Sequence, residues 1–146
     1  MRVRDIMKTR LMSIRPDEPV ETARVLMRQN RVRHLVVLDN QELVGVLSDR
    51  DVIAPDQDSP ELVSDRMTRT VVTITPDATI REAANIIRGK TISCLPVVKG
   101  DELLGIITVS DLLDLIGKGA VHSAKSTERK ILKARGQRFQ HPITAP

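Results

Sequence analysis

Four residues in this chain are spaced for chemistry: Ser48 with Asp51, and Thr108 with Asp111. Each pair is a hydroxyl followed three residues later by a carboxylate. Each also closes a similar run, Gly45-Val46-Leu47-Ser48-Asp49-Arg50-Asp51 and Gly105-Ile106-Ile107-Thr108-Val109-Ser110-Asp111. The hydroxyl falls where an aliphatic strand gives way to a helix. There the first backbone N–H groups lack partners and the helix dipole favours an anion, so a phosphate can be held. One helical turn later the carboxylate can accept bonds from both hydroxyls of a ribose. Gly45 and Gly105 would let the backbone approach closely. The same spacing also makes a capping box, in which the acid satisfies orphan donors of the helix. On the pairs alone the capping arrangement is the commoner outcome.

The elements that position these residues are themselves repeated. Residues 3–53 slide onto 63–113 without a gap. Val3 meets Val63, Asp5 meets Asp65, Met7 meets Met67, Pro16-Asp17 meets Pro76-Asp77, and Leu35 meets Leu95. An internal repeat of this kind outranks any local reading. It implies two copies of one unit related by a pseudo-two-fold axis.

Within the first copy, residues 2–7 read as a helical turn and Met12-Ser13-Ile14 as a short extended piece stopped by Pro16. Asp17 is placed to cap a helix from Val20 to about Gln29, with Pro19 in its first turn. Val20, Ala23, Leu26 and Met27 share one face of that helix. Strands over residues 34–38 and 43–47 flank a hairpin turn in which Asn40 tolerates positive φ. Ser48 then opens a short helix. The second copy predicts an extended Thr73-Ile74, a helix over 80–88, strands over 94–98 and 103–107, and a helix over 109–116. The unit is β-α-β-β-α and the fold mixed α/β (α+β). The boundaries read as repeat 1 over 1–54, a linker over 55–60, repeat 2 over 61–117 and a basic tail over 118–146. In that tail Thr127 is placed to cap a further helix.

Composition narrows the partners. The 146 residues fit one compact module, and each repeat alone would be marginal. The chain has one Phe and neither Tyr nor Trp, which argues against a base-stacking nucleic-acid platform. The net charge of +4 belongs to the tail, since residues 1–117 hold 16 basic and 18 acidic side chains. A single cysteine, Cys94, excludes an intramolecular disulfide and suggests a reducing compartment. Neither a signal-peptide run nor a membrane-length apolar stretch is present, so the chain reads as soluble and cytoplasmic.

Two β-α-β-β-α copies, each opened by Ile-x-Pro-Asp (Ile14 to Asp17, Ile74 to Asp77) and closed by Gly-aliphatic-aliphatic-Ser/Thr-x-x-Asp, resemble a tandem pair of CBS (cystathionine-beta-synthase) domains. The resemblance covers residues 1 to about 116 and implies a stand-alone regulatory module, not an enzyme. It implies ligand clefts where the repeats meet, for AMP, ADP, ATP or S-adenosylmethionine, with no cofactor required. Ser48, Asp51, Thr108 and Asp111 would hold ribose and phosphate. The base would lie between aliphatics such as Ile14, Ile74, Val37 and Val97. The resemblance also implies a homodimer formed through the helices, and a regulated partner protein.

The copies differ in charge. Arg31, Arg33 and His34 of the first copy align with Thr91, Ser93 and Cys94 of the second. Arg33, His34 and Arg50 are therefore candidate phosphate contacts, and the alternative is a solvated basic edge with a structural histidine. Val36 stands where the second copy keeps Pro96, and the family usually carries proline there. Gly89-Lys90-Thr91 imitates the end of a P-loop, but it follows a helix and Ala84 replaces the required glycine. His34, His122 and His141 are too scattered for a metal site, and Cys94 reads as a buried inert thiol. Two rival functions remain. One is a nucleic-acid or acidic-protein adapter acting through residues 118–146. The other is a purely structural dimeriser burying Leu112, Leu113, Leu115 and Ile116.

Overall fold

The structure is a computed structural model and describes residues 1–53 and 60–118. These form two compact units that exchange their leading segments. Residues 12–53 join 60–71 in one, and residues 1–11 join 72–118 in the other. We call them the Asp51 unit and the Asp111 unit. The sequence linker lies largely, and the basic tail almost wholly, outside the described residues.

In the Asp51 unit, β1 (Ser13–Ile14) runs parallel to β2 (His34–Asp39), which pairs antiparallel with β3 (Glu42–Ser48). The β2–β3 turn carries φ of 52° at Asn40 and 69° at Gln41. Two positive values in succession suit the right-handed twist of a tight hairpin. Helix α2 (Val20–Asn30) buries Val20, Ala23 and Met27 on one face. Its cap differs from the sequence expectation. Pro19 is the N-cap residue, and Asp17 instead pairs with Arg15 at 2.8 Å. Asp17 lies two residues before that cap, on the wrong side of the rigid proline to reach the first helical amides. A four-residue 3-10 helix (Asp49–Val52) follows β3, and α3 (Val63–Arg66) completes the unit. Ile14, Val20, Ala23, Met27, Leu35, Val37, Leu47, Val52 and Val63 form its core.

The Asp111 unit contains α1 (Val3–Ile6), α4 (Ile80–Lys90), β4 (Cys94–Lys99), β5 (Glu102–Thr108) and α5 (Val109–Lys118). Here the helix cap is a full capping box: Glu82 N donates to Thr79 Oγ1 and Thr79 N to Glu82 Oε2, at 3.0 and 2.9 Å. The expected strand at Thr73-Ile74 is reduced to one bridge, Ile74 to Val97. Proline explains the difference. In the Asp51 unit Val36 N donates to Met12 O at 3.2 Å, and Pro96 has no N–H with which to repeat that bond.

The exchange is made by backbone bonds and apolar packing. Val3 N donates to Ala78 O at 2.8 Å, and Lys8 and Ile106 exchange both their N–H···O bonds at 2.9 Å. Val3, Ile6 and Met7 join the core of the Asp111 unit. In parallel, Val63 N donates to Glu18 O, and Thr68 pairs with Val46. The buried Thr9 hydroxyl has no hydrogen-bond partner among the described residues. A desolvated, unbonded hydroxyl is costly, so Thr9→Val is expected to stabilise by about 1 kcal/mol. A denaturant midpoint that falls on this substitution would refute it.

Candidate functional site

Each Gly-to-Asp run spans a strand end and the first turn of a helix. Ser48 is the last residue of β3 and the N-cap of the 3-10 helix. Its backbone N–H and its hydroxyl both donate to Asp51 Oδ2, at 2.8 and 3.0 Å. Thr108 N and Oγ1 make the same two bonds to Asp111 Oδ2, at 2.8 and 3.0 Å. Asp111 N donates back to Thr108 Oγ1 at 3.3 Å. The local interaction is thus the capping arrangement in both units, and it consumes one carboxylate oxygen of each. The other oxygen decides what more the site can do.

The next amide is also engaged. Asp49 N donates to Arg33 O at 2.8 Å, and Val109 N to Ser93 O at 3.1 Å. The anion-binding capacity expected from a helix N-terminus is therefore reduced in both units. It is smallest at Ser48, where the helix is a single 3-10 turn with little dipole to offer. Charge at that position has to come from side chains. His34 lies directly opposite Ser48 across the β2–β3 ladder, as Cys94 lies opposite Thr108. Arg33 and Arg50 flank the same turn and are exposed. Cys94 is buried, as expected of an inert thiol.

Three expectations meet a different structure. Ile14 and Val37 are register neighbours inside the core of the Asp51 unit, and Ile74 and Val97 sit likewise in the other core. These four side chains are spent on packing. The close approach that Gly45 and Gly105 permit is by the chain itself. A Cβ on Gly45 would lie 2.7 Å from Met67 Sδ, and one on Gly105 would lie 2.5 Å from Lys8 O. On α5, Leu112 and Leu115 pack against the core, whereas Leu113 and Ile116 are 61% and 77% exposed. The four leucine and isoleucine side chains therefore do not form one free face, because helical spacing turns them to two sides.

Two residues at these turns were missed by sequence reasoning. Lys8 Nζ sits 2.9 Å from Asp111 Oδ1. Arg66 binds Glu61 through Nε and Nη2, both at 2.6 Å, and donates from Nη1 to Asp51 O at 3.1 Å. The Arg66 hydrogen bond holds the Glu61 carboxyl below its usual 4.5. Arg66 thereby ties α3 to the end of the 3-10 helix that carries Asp51. The available signal was mismatch between copies: Lys8 aligns with Thr68, and Arg66 with Ile6. Their targets were invisible, because each acts on the other copy's motif.

Among the described residues no group of His, Cys, Asp and Glu is arranged to hold a metal, and no helix is long and apolar enough to cross a membrane.

Comparison with known proteins places this architecture in a class. The CBS domain family model matches residues 3–55 and 63–118, and the chain belongs to the CBS domain family as a tandem pair. It is 30% identical over 114 residues to the CBS domain-containing protein YhcV of Bacillus subtilis (strain 168), covering 75% of this chain and 81% of that protein. It is 37% identical over 103 residues to inosine-5′-monophosphate dehydrogenase of Korarchaeum cryptofilum, covering 70% of this chain. That match spans only 21% of the dehydrogenase's length. Among solved structures, the CBS domain pair of protein MJ0100 in complex with 5′-methylthioadenosine and S-adenosyl-L-methionine superposes with a TM-score of 0.74 at 26% identity. It covers 81% of this chain and 97% of that one. CBSX2 in complex with AMP superposes with a TM-score of 0.70 at 28% identity, covering 80% and 96%.

Proposed function

We propose that this chain is a regulatory ligand-sensing module. It binds an adenosine-containing compound (AMP, ADP, ATP or S-adenosylmethionine) at one or both strand-to-helix turns and signals to a partner protein. The observation that carries this reading is the repeated arrangement of hydroxyl, backbone amide and carboxylate at Ser48–Asp51 and Thr108–Asp111. In each, one carboxylate oxygen is held by its own chain; the second is the one a diol would use, and at Asp111 it is paired with Lys8. The complexes of MJ0100 and CBSX2 with adenosine compounds support it. Arg33 and Arg50 supply positive charge near Ser48 for a phosphate or polyphosphate, and His34 stands across the ladder from it.

The module catalyses nothing itself, works in the cytoplasm, and pairs with a second copy through the exposed Leu113 and Ile116 of α5. Ligand binding acts by population shift, favouring the conformation with which it interacts better.

Titration calorimetry with the four compounds tests the reading on wild type, Asp51→Ala and Asp111→Ala. Loss of a carboxylate that accepts two hydroxyl bonds is expected to weaken binding by about 30- to 100-fold at the acting site. Silent titrations with every compound, together with no nucleotide released from denatured protein, would refute it.

A further inference from the structure

The two carboxylates are alike at one oxygen and different at the other. Asp111 has a side chain only 5% exposed, and its Oδ1 is ion-paired with Lys8 Nζ at 2.9 Å. With Thr108 on Oδ2, both of its oxygens are engaged. Asp51 is partly exposed, and no ion pair engages it among the described residues. The backbone around each is the same: Thr68 pairs with Val46 as Lys8 pairs with Ile106. The residue at the equivalent place is therefore Thr68, which carries no cation.

From this we infer that Lys8 closes the second motif to a ribose diol, and that Asp51 is the acting carboxylate. The inference deepens the nucleotide reading above and rests on it. A diol needs a carboxylate oxygen that is not already satisfied. At Asp111 it must first displace an ammonium from a largely desolvated carboxylate, and an unpaired buried charge is costly. At Asp51 no ion-paired ammonium has to be displaced. The charges nearby favour the same motif. Arg33 and Arg50 flank the Ser48 turn, with His34 opposite Ser48, whereas Ser93 and Cys94 stand in place of Arg33 and His34 beside Thr108. Lys8 is thus a specificity-determining residue that sets how many ligands one chain takes. It comes from the leading segment of the first sequence copy and acts on the motif of the second.

Equilibrium dialysis of the full chain with AMP, ADP, ATP and S-adenosylmethionine tests this. Wild type is expected to bind one molecule per chain. Lys8→Thr, which copies Thr68, is expected to bind two. Asp51→Ala is expected to bind none at the same concentrations, and the double variant Lys8→Thr/Asp51→Ala one. Lys8→Arg keeps a cation and should keep the value at one, and Lys8→Gln removes the charge with little change of length should Lys8→Thr not fold. Two molecules bound by wild type, or one still bound when Lys8 is neutralised, would overturn the role of Lys8 alone. No binding by any of these proteins would overturn it together with the nucleotide reading.

Discussion

Gly105→Ala is expected to destabilise the Asp111 unit by about 2–4 kcal/mol, more than Gly45→Ala does to its own unit. The new methyl carbon at 105 would lie 2.5 Å from Lys8 O and 3.3 Å from Lys8 C, with Met7 Sδ at 3.2 Å. A backbone carbonyl cannot rotate away. Lys8 O accepts from Ile106 N and Lys8 N donates to Ile106 O, so moving Lys8 strains both bonds. It also draws Nζ from Asp111. At Gly45 the nearest atom is Met67 Sδ at 2.7 Å, the far end of a flexible side chain, with Thr68 O at 3.0 Å. Methionine can re-rotamerise at modest cost, and about 1–2 kcal/mol is expected there. Native-state hydrogen exchange reads the two units separately, which a single denaturation curve does not. An equal or reversed order of the two variants would contradict the contacts described.

Val3→Asp is expected to cost roughly 3–5 kcal/mol, and to cost it in an unexpected place. Val3 has no exposed surface and packs with Ala83, Leu95 and Ile107 in the core of the Asp111 unit. Burying a carboxylate there, with no cation provided, expels α1 from that core. Exchange protection should fall first over α4, β4 and β5, at residues 80–108. Residues 20–48, which follow Val3 in its own sequence copy, should keep theirs longer. Earlier loss over 20–48 would show that each leading segment serves its own repeat.

Much of the fold was legible because the signals are local. Ile80 to Arg88 has helical periodicity, and the aliphatic runs at 34–38 and 94–98 end in turns with Asn40 or Gly100 at positive φ. The site was legible in part for the same reason. Ser48 and Asp51 are three residues apart, so their hydrogen bonds follow from one turn of chain. The cap at Asp17 was misread because proline competes for the helix start, and the strand at Thr73-Ile74 because Pro96 withholds a donor.

The repeated sequence by itself determined the unit, its count, its family and the two carboxylates. These are properties of periodicity and short spacing. Tertiary structure alone decided that residues 1–11 serve the second motif and 60–71 the first. It therefore decided that Lys8 meets Asp111 and Arg66 meets the Asp51 turn. It also showed that Gly45 and Gly105 make room for Met67 and Lys8 of the chain itself. Which of two similar cores a leading segment enters depends on long-range packing. Because Val3 and Val63 are the same residue in matching contexts, nothing local distinguishes the partners.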